Sequence, residues 1–385
     1  MLTPFVDMRV LHWFGPCIWG EDSGYAVIKS FWHRTAIGRA LTERFWNAIG
    51  SDVIGLMGFD KDPEIGKLKP TCDAMTTGCT FSILNYETDF FEPIRNGTVR
   101  IHLADISHLS EGKVHLDDSD GTVLESNAML CVTGWKHSPP LKFLPEGIEK
   151  RIGLPYSRSA EDAALSPDES LAAQANLVAQ ADAEIQQLFP GLKVPPKFNP
   201  NYVPLADTKA FKFANGETQA SAISQTPFML YRFMVPGTAD FLRSKDLAFA
   251  GAIMNFSNVI CAHAQGLWIS AYFDGKLARD PSSAVLDSDG VDGHLVANGS
   301  ILTLNQVHYQ TILHNRFGKW RYPNDPGSRY PDFVFEAVPY LDMMMADMGL
   351  RVHRKTGWFK EIVDPYGPED YSDINDEWNA KFCKD

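Results

Sequence analysis

The chain has 385 residues, 44% hydrophobic and 22% charged, with a net charge of −13 at pH 7 and a pI near 5.3. That is the balance of an ordinary soluble globular protein, long enough for two domains. The acidity excludes a nucleic-acid surface or an anionic-membrane partner, since both need clustered Lys and Arg.

The six cysteines (Cys17, Cys72, Cys79, Cys131, Cys261, Cys383) are scattered and form no CxxC, which reads as reduced thiols in a cytoplasmic protein. Met1 to Trp19 has no secretory signal. In residues 1–95, Thr35 to Gly50 is predicted as a helix, with Ile37, Leu41, Phe45 and Ile49 on one apolar stripe. Ser82 to Arg95 is predicted as a second. Thr98 to Leu103 alternates as a strand, and Ile106 to Leu109 and Lys113 to Leu116 follow. Asp117 to Gly121 is an acidic turn. Val123-Leu124 leads into Ala128 to Val132, a continuous apolar run that reads as a buried strand ending at Thr133-Gly134-Trp135.

Residues 150–215 read as an insertion. Ser166-Pro-Asp-Glu169 is a capping box that opens a helix to about Phe189, ended by Pro190-Gly191. The stripe Leu171, Ala175, Val178, Ile185 and Leu188 is its buried face. Lys193 to Pro204 is a connector. Further helices are predicted over Thr303 to Asn315 and Phe333 to Leu350. The cluster Met343, Met344, Met345 and Met348 reads as adaptable core packing.

Leu247 to Phe273 contains no Asp, Glu, Lys or Arg. A membrane span needs about 20 apolar residues, but Asn255, Ser257, Asn258, His263, Gln265 and Ser270 interrupt the run. The better parse is a buried strand over Leu247 to Ile253, a loop, and a helix from about Asn258 to Phe273, stopped at Asp274-Gly275. Ser257 or Asn255 is expected to cap that helix. A strand that delivers a helix N-terminus into the interior can hold an anionic or electron-rich ligand. The plain alternative is a strand–helix unit of an α/β core with no ligand. The chain contains no GxxxxGK[ST], HExxH, GxSxG or GxGxxG, and its eleven histidines show no metal-ligand spacing.

Several motifs together resemble one family. They are Asn96-Gly97-Thr98, Asp120-Gly121-Thr122 and Leu130-Cys131-Val132-Thr133-Gly134-Trp135. Ala248 to Trp268 adds a further match, with Gln265 and Trp268 falling on an E-x-Q-A-x-W pattern. That last match is partial, because Ala264 precedes Gln265 and Gly266 follows it. With His314 to Arg321 and Pro331 to Glu336, these stretches are similar to the flavin-containing monooxygenases of filamentous fungi.

The resemblance implies an α/β chain, an incomplete two-dinucleotide-binding-domain flavoprotein fold with a helical insertion and a C-terminal extension. It implies residues 1–132 as part of an NADPH-binding-like domain, 133–275 as part of an FAD-binding-like domain and 276–385 as the extension. FAD and NADPH would be the cofactors, with Thr133, Gly134, Gly251, Asn255, Ser257, Asn258 and Gln265 against the flavin, no catalytic side chain and no metal. The partner would be a small molecule or secondary metabolite, oxidised after NADPH reduces the flavin. The family's two glycine-rich motifs are missing, so the chain is expected to be N-terminally truncated and inactive alone. Two rivals stand beside this reading: a non-catalytic relative acting as a partner protein, and a flavoprotein reductase of the same fold.

Overall fold

The structure is a computed structural model that describes residues 7–19, 24–70, 73–76, 86–132, 141–156, 159–194, 226–255, 257–286, 302–323 and 331–382. Helices carry its core. Helix α1 is Arg9–Phe14, α2 is Ala26–Arg34 and α3 is Ala36–Met57. Thr35 hinges α2 to α3: its hydroxyl accepts from the Gly38 amide (3.0 Å) and donates to the Phe31 carbonyl (2.7 Å). The hinge is so tight that a Cβ on Gly38 would lie 2.3 Å from the Phe31 oxygen, so only glycine fits.

The predicted helix is present, and Phe45 and Ile49 of its apolar stripe pack against the core, but the N-terminal half of the stripe does not. Gly38, Thr42, Trp46 and Val53 face inward, whereas Ile37 is 70% and Leu41 44% exposed. Trp46 sets the orientation. Its ring buries more apolar area than any residue of the Ile37–Leu41 stripe, and its indole N–H donates to the Phe14 carbonyl (2.8 Å).

Strands β1 (Ile106–Ser110), β2 (Lys113–Leu116) and β3 (Val123–Glu125) form an antiparallel meander. The acidic turn joins β2 to β3, with Asp118 accepting from the Thr122 amide (2.8 Å). Two strand expectations fail. Thr98 to Leu103 forms no strand, and neither does Ala128 to Val132, where Leu130 is 89% and Val132 86% exposed. The meander ends at β3, where Ser126 turns the chain by donating to the Ala128 carbonyl (2.8 Å). Among the described residues no fourth strand lies beside the apolar run to pair with it. Of the helix expected over Ser82 to Arg95, residues 82–85 lie outside the described ones, and the rest contributes one helical turn, Glu92–Arg95.

Helix α4 (Ala175–Leu188) starts eight residues later than its capping box implied. The box forms, with the Ser166 amide donating to Glu169 (2.8 Å), but it holds a turn. The side-chain amide of Gln174 donates to the Ser170 carbonyl (2.9 Å), while its backbone N–H bonds Leu171 instead. That displaces the i→i−4 ladder, so the α-helix begins only after Gln174. Ala175 is exposed, and Leu171, Ala181 and Ile185 are buried.

A short hairpin, β4 (Leu230–Tyr231) with β5 (Val235–Pro236), turns through Arg232, Phe233 and Met234, the first two at positive φ (54° and 61°). Leu247 to Ile253 is not a strand. Gly251 has φ 75° and its amide donates to the side chain of Gln265 (3.0 Å), so no ladder can form there. A single parallel bridge, Met254 with Asp332, is what remains of strand pairing.

Helix α5 runs over Asn258–Phe273, as predicted. Helix α6 is Leu304–Arg321, opened by a capping box of Thr303 and Gln306, and α7 is Ala337–Met348. Every residue of α7 except Ala346 is buried, including all four clustered methionines. This helix is the hub of the core. Three buried carboxylates on or beside it each receive an arginine from elsewhere in the chain. Arg321 on α6 donates to Glu336 (2.8 Å), Arg9 on α1 pairs with Asp342 through both terminal nitrogens, and Arg232 donates to Asp347 (2.8 Å). Removing one partner of such a pair leaves an uncompensated buried charge, at a cost of about 3–5 kcal/mol.

Candidate cofactor site

The loop before α5 and the first turn of α5 bring together four of the residues singled out in the sequence. Gly251 supplies the turn. Asn255 is buried at 6% exposure, and its backbone amide donates to the side-chain oxygen of Asn258 (2.9 Å). Its own side-chain amide donates to Cys261 Sγ (3.1 Å), and its Oδ1 has no hydrogen-bond partner among the described residues. Ser257 stands at the N-cap position but does not cap. Its hydroxyl donates to Asp7 (3.0 Å), and no side chain caps α5. The expected capping by Ser257 or Asn255 is therefore replaced by a tether to the N-terminal segment, and the first-turn N–H groups keep their partial positive charge unshielded by a side-chain oxygen.

Gln265 lies one face deeper. It is 1% exposed, its oxygen accepts from Gly251 and its nitrogen donates to the Tyr340 hydroxyl (3.0 Å). Tyr340 in turn donates to the Arg232 carbonyl (2.8 Å). Gln265 thus ties the Gly251 turn to α7 and sets its position. Trp268, fully buried, donates its indole N–H to Asp347 (3.2 Å). Thr133 and Gly134 lie outside the described residues.

Burial pushes the Cys261 thiol up to about 12, so it stays protonated near neutral pH and is no nucleophile. Burial also raises the Asp7 carboxyl, against the Ser257 hydrogen bond. What the site offers is a set of backbone donors beside one buried, unpaired acceptor.

Sequence reasoning missed Asp7, Arg9, Asp342 and Asp347. A signal for the last two existed: charged residues inside the Met-rich, apolar run of α7 have to find buried partners. Among the described residues no group of three or more His, Cys, Asp or Glu is placed to hold a metal ion, and no helix is long and apolar enough to cross a membrane.

Comparison with known proteins adds sequence relatives. A FAD-dependent monooxygenase of Alternaria brassicicola is 24% identical over 379 residues, covering 98% of this chain and 56% of the relative. One of Aspergillus versicolor is 26% identical over 369 residues, covering 91% and 46%, and one of Aspergillus sclerotiorum is 24% identical over 361 residues, covering 91% and 54%. The chain spans about half the length of the curated relatives it matches. No protein-family model and no solved structure matches it.

Proposed function

We propose, from the premise that this chain is a relative of the fungal FAD-dependent monooxygenases, that it contributes the ring-facing part of a flavin site in an NADPH-using monooxygenase of small molecules. The observation that carries this reading is the uncapped start of α5 beside the orphaned oxygen of Asn255. The first-turn N–H groups would donate to the oxygens of the flavin's pyrimidine edge, and Asn255 Oδ1 would accept from the imide N–H between them. Gln265 would act through Gly251, holding the turn at the height of the ring. Trp268 and Tyr340, both fully buried, would keep water from the rear of the site. A bound flavin would supply the redox chemistry, taking a hydride from NADPH and, with O2, giving the substrate one oxygen atom while the other leaves as water. Residues 1–132 would belong to the nicotinamide side of that assembly, 133–275 to the flavin side with an insertion at 150–215, and 276–385 to an extension that supplies α7.

The phosphate end fits less well than the ring end. A dinucleotide pyrophosphate is normally met by helix-start N–H groups after a glycine-rich turn, and the 385 residues contain no such motif. Residues 1–385 should therefore bind the flavin ring weakly and hold FAD no more tightly than riboflavin. Quenching of flavin fluorescence on titration with the protein tests both halves. The expected result is dissociation constants for riboflavin and FAD within about threefold of one another. Asn258→Asp should weaken both by about three- to tenfold, the size of one charge at a helix end. Stoichiometric FAD with NADPH-dependent oxygen uptake would overturn the phosphate argument. Undetectable riboflavin binding, or an N258D protein that binds as wild type does, would overturn the ring site.

A second reading, a partner protein without catalysis, is favoured by the bare apolar residues Leu130 and Val132. Self-association or pairing lost on Leu130→Asp, measured by light scattering, would support it.

A further inference from the structure

A cleft of about 320 Å³ opens between α2 and the end of α4, away from the α5 loop. Its walls are largely apolar, with Val27 on α2 facing Leu188 and Phe189, and Cys17 among the lining residues. Two cations line it, Lys29 and Arg34. Lys29 is 91% buried by its 9% exposure, yet the one hydrogen bond its ammonium makes among the described residues is to the Trp19 carbonyl (3.0 Å). An ammonium carries three donors, and a buried charge is costly unless paired. The nearby buried carboxylates are already engaged: Asp342 holds Arg9 in a bidentate pair, and Glu336 holds Arg321 and Tyr322. Arg34 is exposed and has no carboxylate within salt-bridge distance among the described residues. Among the described residues neither cation makes an ion pair, although the Lys29 charge acts on the Asp342 carboxyl.

We propose that this cleft binds a small organic carboxylate with an apolar body, its charge seated on Lys29 and guided in by Arg34. The volume lies at the lower end of the roughly 300–1,000 Å³ typical of small-molecule sites, too small for a folded partner. The Lys29–carboxylate bond would be a charge-assisted pair, the strong class of hydrogen bond. The apolar walls select against inorganic anions, which would lose hydration without gaining apolar contact. This inference is independent of any flavin.

The test uses residues 1–385 and two probes of the same length, decanoate and the neutral decanol, followed by titration calorimetry, with inorganic phosphate as a competitor. The expected result is one decanoate site that phosphate at equal ionic strength does not displace, with decanol binding at least about tenfold more weakly, the size of one hydrogen bond to a charged group. Lys29→Met should weaken decanoate by about tenfold or more and leave decanol unchanged. Val27 is 83% exposed, so Val27→Glu leaves the fold intact while placing a negative charge on the cleft wall. It should weaken decanoate and not decanol, even if Lys29→Met fails to fold. Equal binding of the two probes, decanoate binding to Val27→Glu as to wild type, or displacement of decanoate by phosphate would overturn the proposal.

Discussion

Asp347 is a side chain whose loss should cost this fold several kcal/mol, on the order of a broken buried ion pair. Its carboxylate is fully buried and accepts from Arg232 Nε (2.8 Å), Arg232 Nη2 (3.2 Å) and Trp268 Nε1 (3.2 Å). Burial raises its pKa and the arginine opposes that shift, so the ion is held by the pair rather than by solvent. Asp347→Ala removes three acceptor contacts and the carboxylate that balances a guanidinium itself 95% buried by its 5% exposure. Hydrogen bonds to charged groups are worth about 1.5–3 kcal/mol each, but they share one carboxylate and do not add. The broken buried pair decides the sum, at about 3–5 kcal/mol. Urea unfolding followed by tryptophan fluorescence measures it. The decisive comparison is the double variant Asp347→Ala with Arg232→Met. Once the charge is gone with its partner, the double variant should be more stable than the sum of the two single losses by about 2 kcal/mol or more. An Asp347→Ala protein within about 1 kcal/mol of wild type would refute the reasoning. So would losses that add to within about 0.5 kcal/mol, because they would mean the pair is not a unit.

Two further outcomes follow from burial. His33 is held down to about 4, by burial first and then by the nearby Lys29 and Arg321 charges, against about 6.5 when unfolded. The unfolded chain therefore takes up a proton that the folded one refuses as pH falls from about 6.5 towards 4, and stability falls across that window by about 3 kcal/mol for this group alone. Urea midpoints at pH 7.5 and 5 for wild type and His33→Gln check the sign: the variant should lose less on acidification, and an identical loss would contradict it. Leu130→Asp should change stability by no more than about 0.5 kcal/mol, as for a surface site, whereas a loss above about 3 kcal/mol in the same assay would mean that the run 128–132 is buried after all.

The contrast between α5 and the run 128–132 shows where sequence reading succeeded. Both are apolar stretches. Helix α5 was legible at both ends, because its limits are local: the polar residues Asn255 and Ser257 before it, and Asp274-Gly275 after it, with Gly275 at φ 65°. A helix closes its hydrogen bonds within itself. A strand does not, and Ala128 to Val132 had the composition of a buried strand without a neighbour to pair with among the described residues. The Leu247–Ile253 expectation failed for a related reason, since the Gly251 amide was taken by a side chain 14 positions away.

The candidate site divides in the same way. Gly251, Asn255, Ser257 and Asn258 could be named in advance because they crowd one loop before a helix. The hydroxyl of Ser257 turning to Asp7, 250 positions away, could not.

The sequence alone determined the helices with clear stops, the acidic hairpin, the methionine core and the resemblance to a fungal monooxygenase family, all of which rest on residues close in the chain. Tertiary structure decided which face of α3 is buried, and it chose Trp46 over the more regular stripe of Ile37 and Leu41. It also placed Arg9, Arg232 and Arg321 on Asp342, Asp347 and Glu336. Burial and ion pairing are properties of pairs of surfaces, and the partners that bury a charge lie up to 352 positions apart.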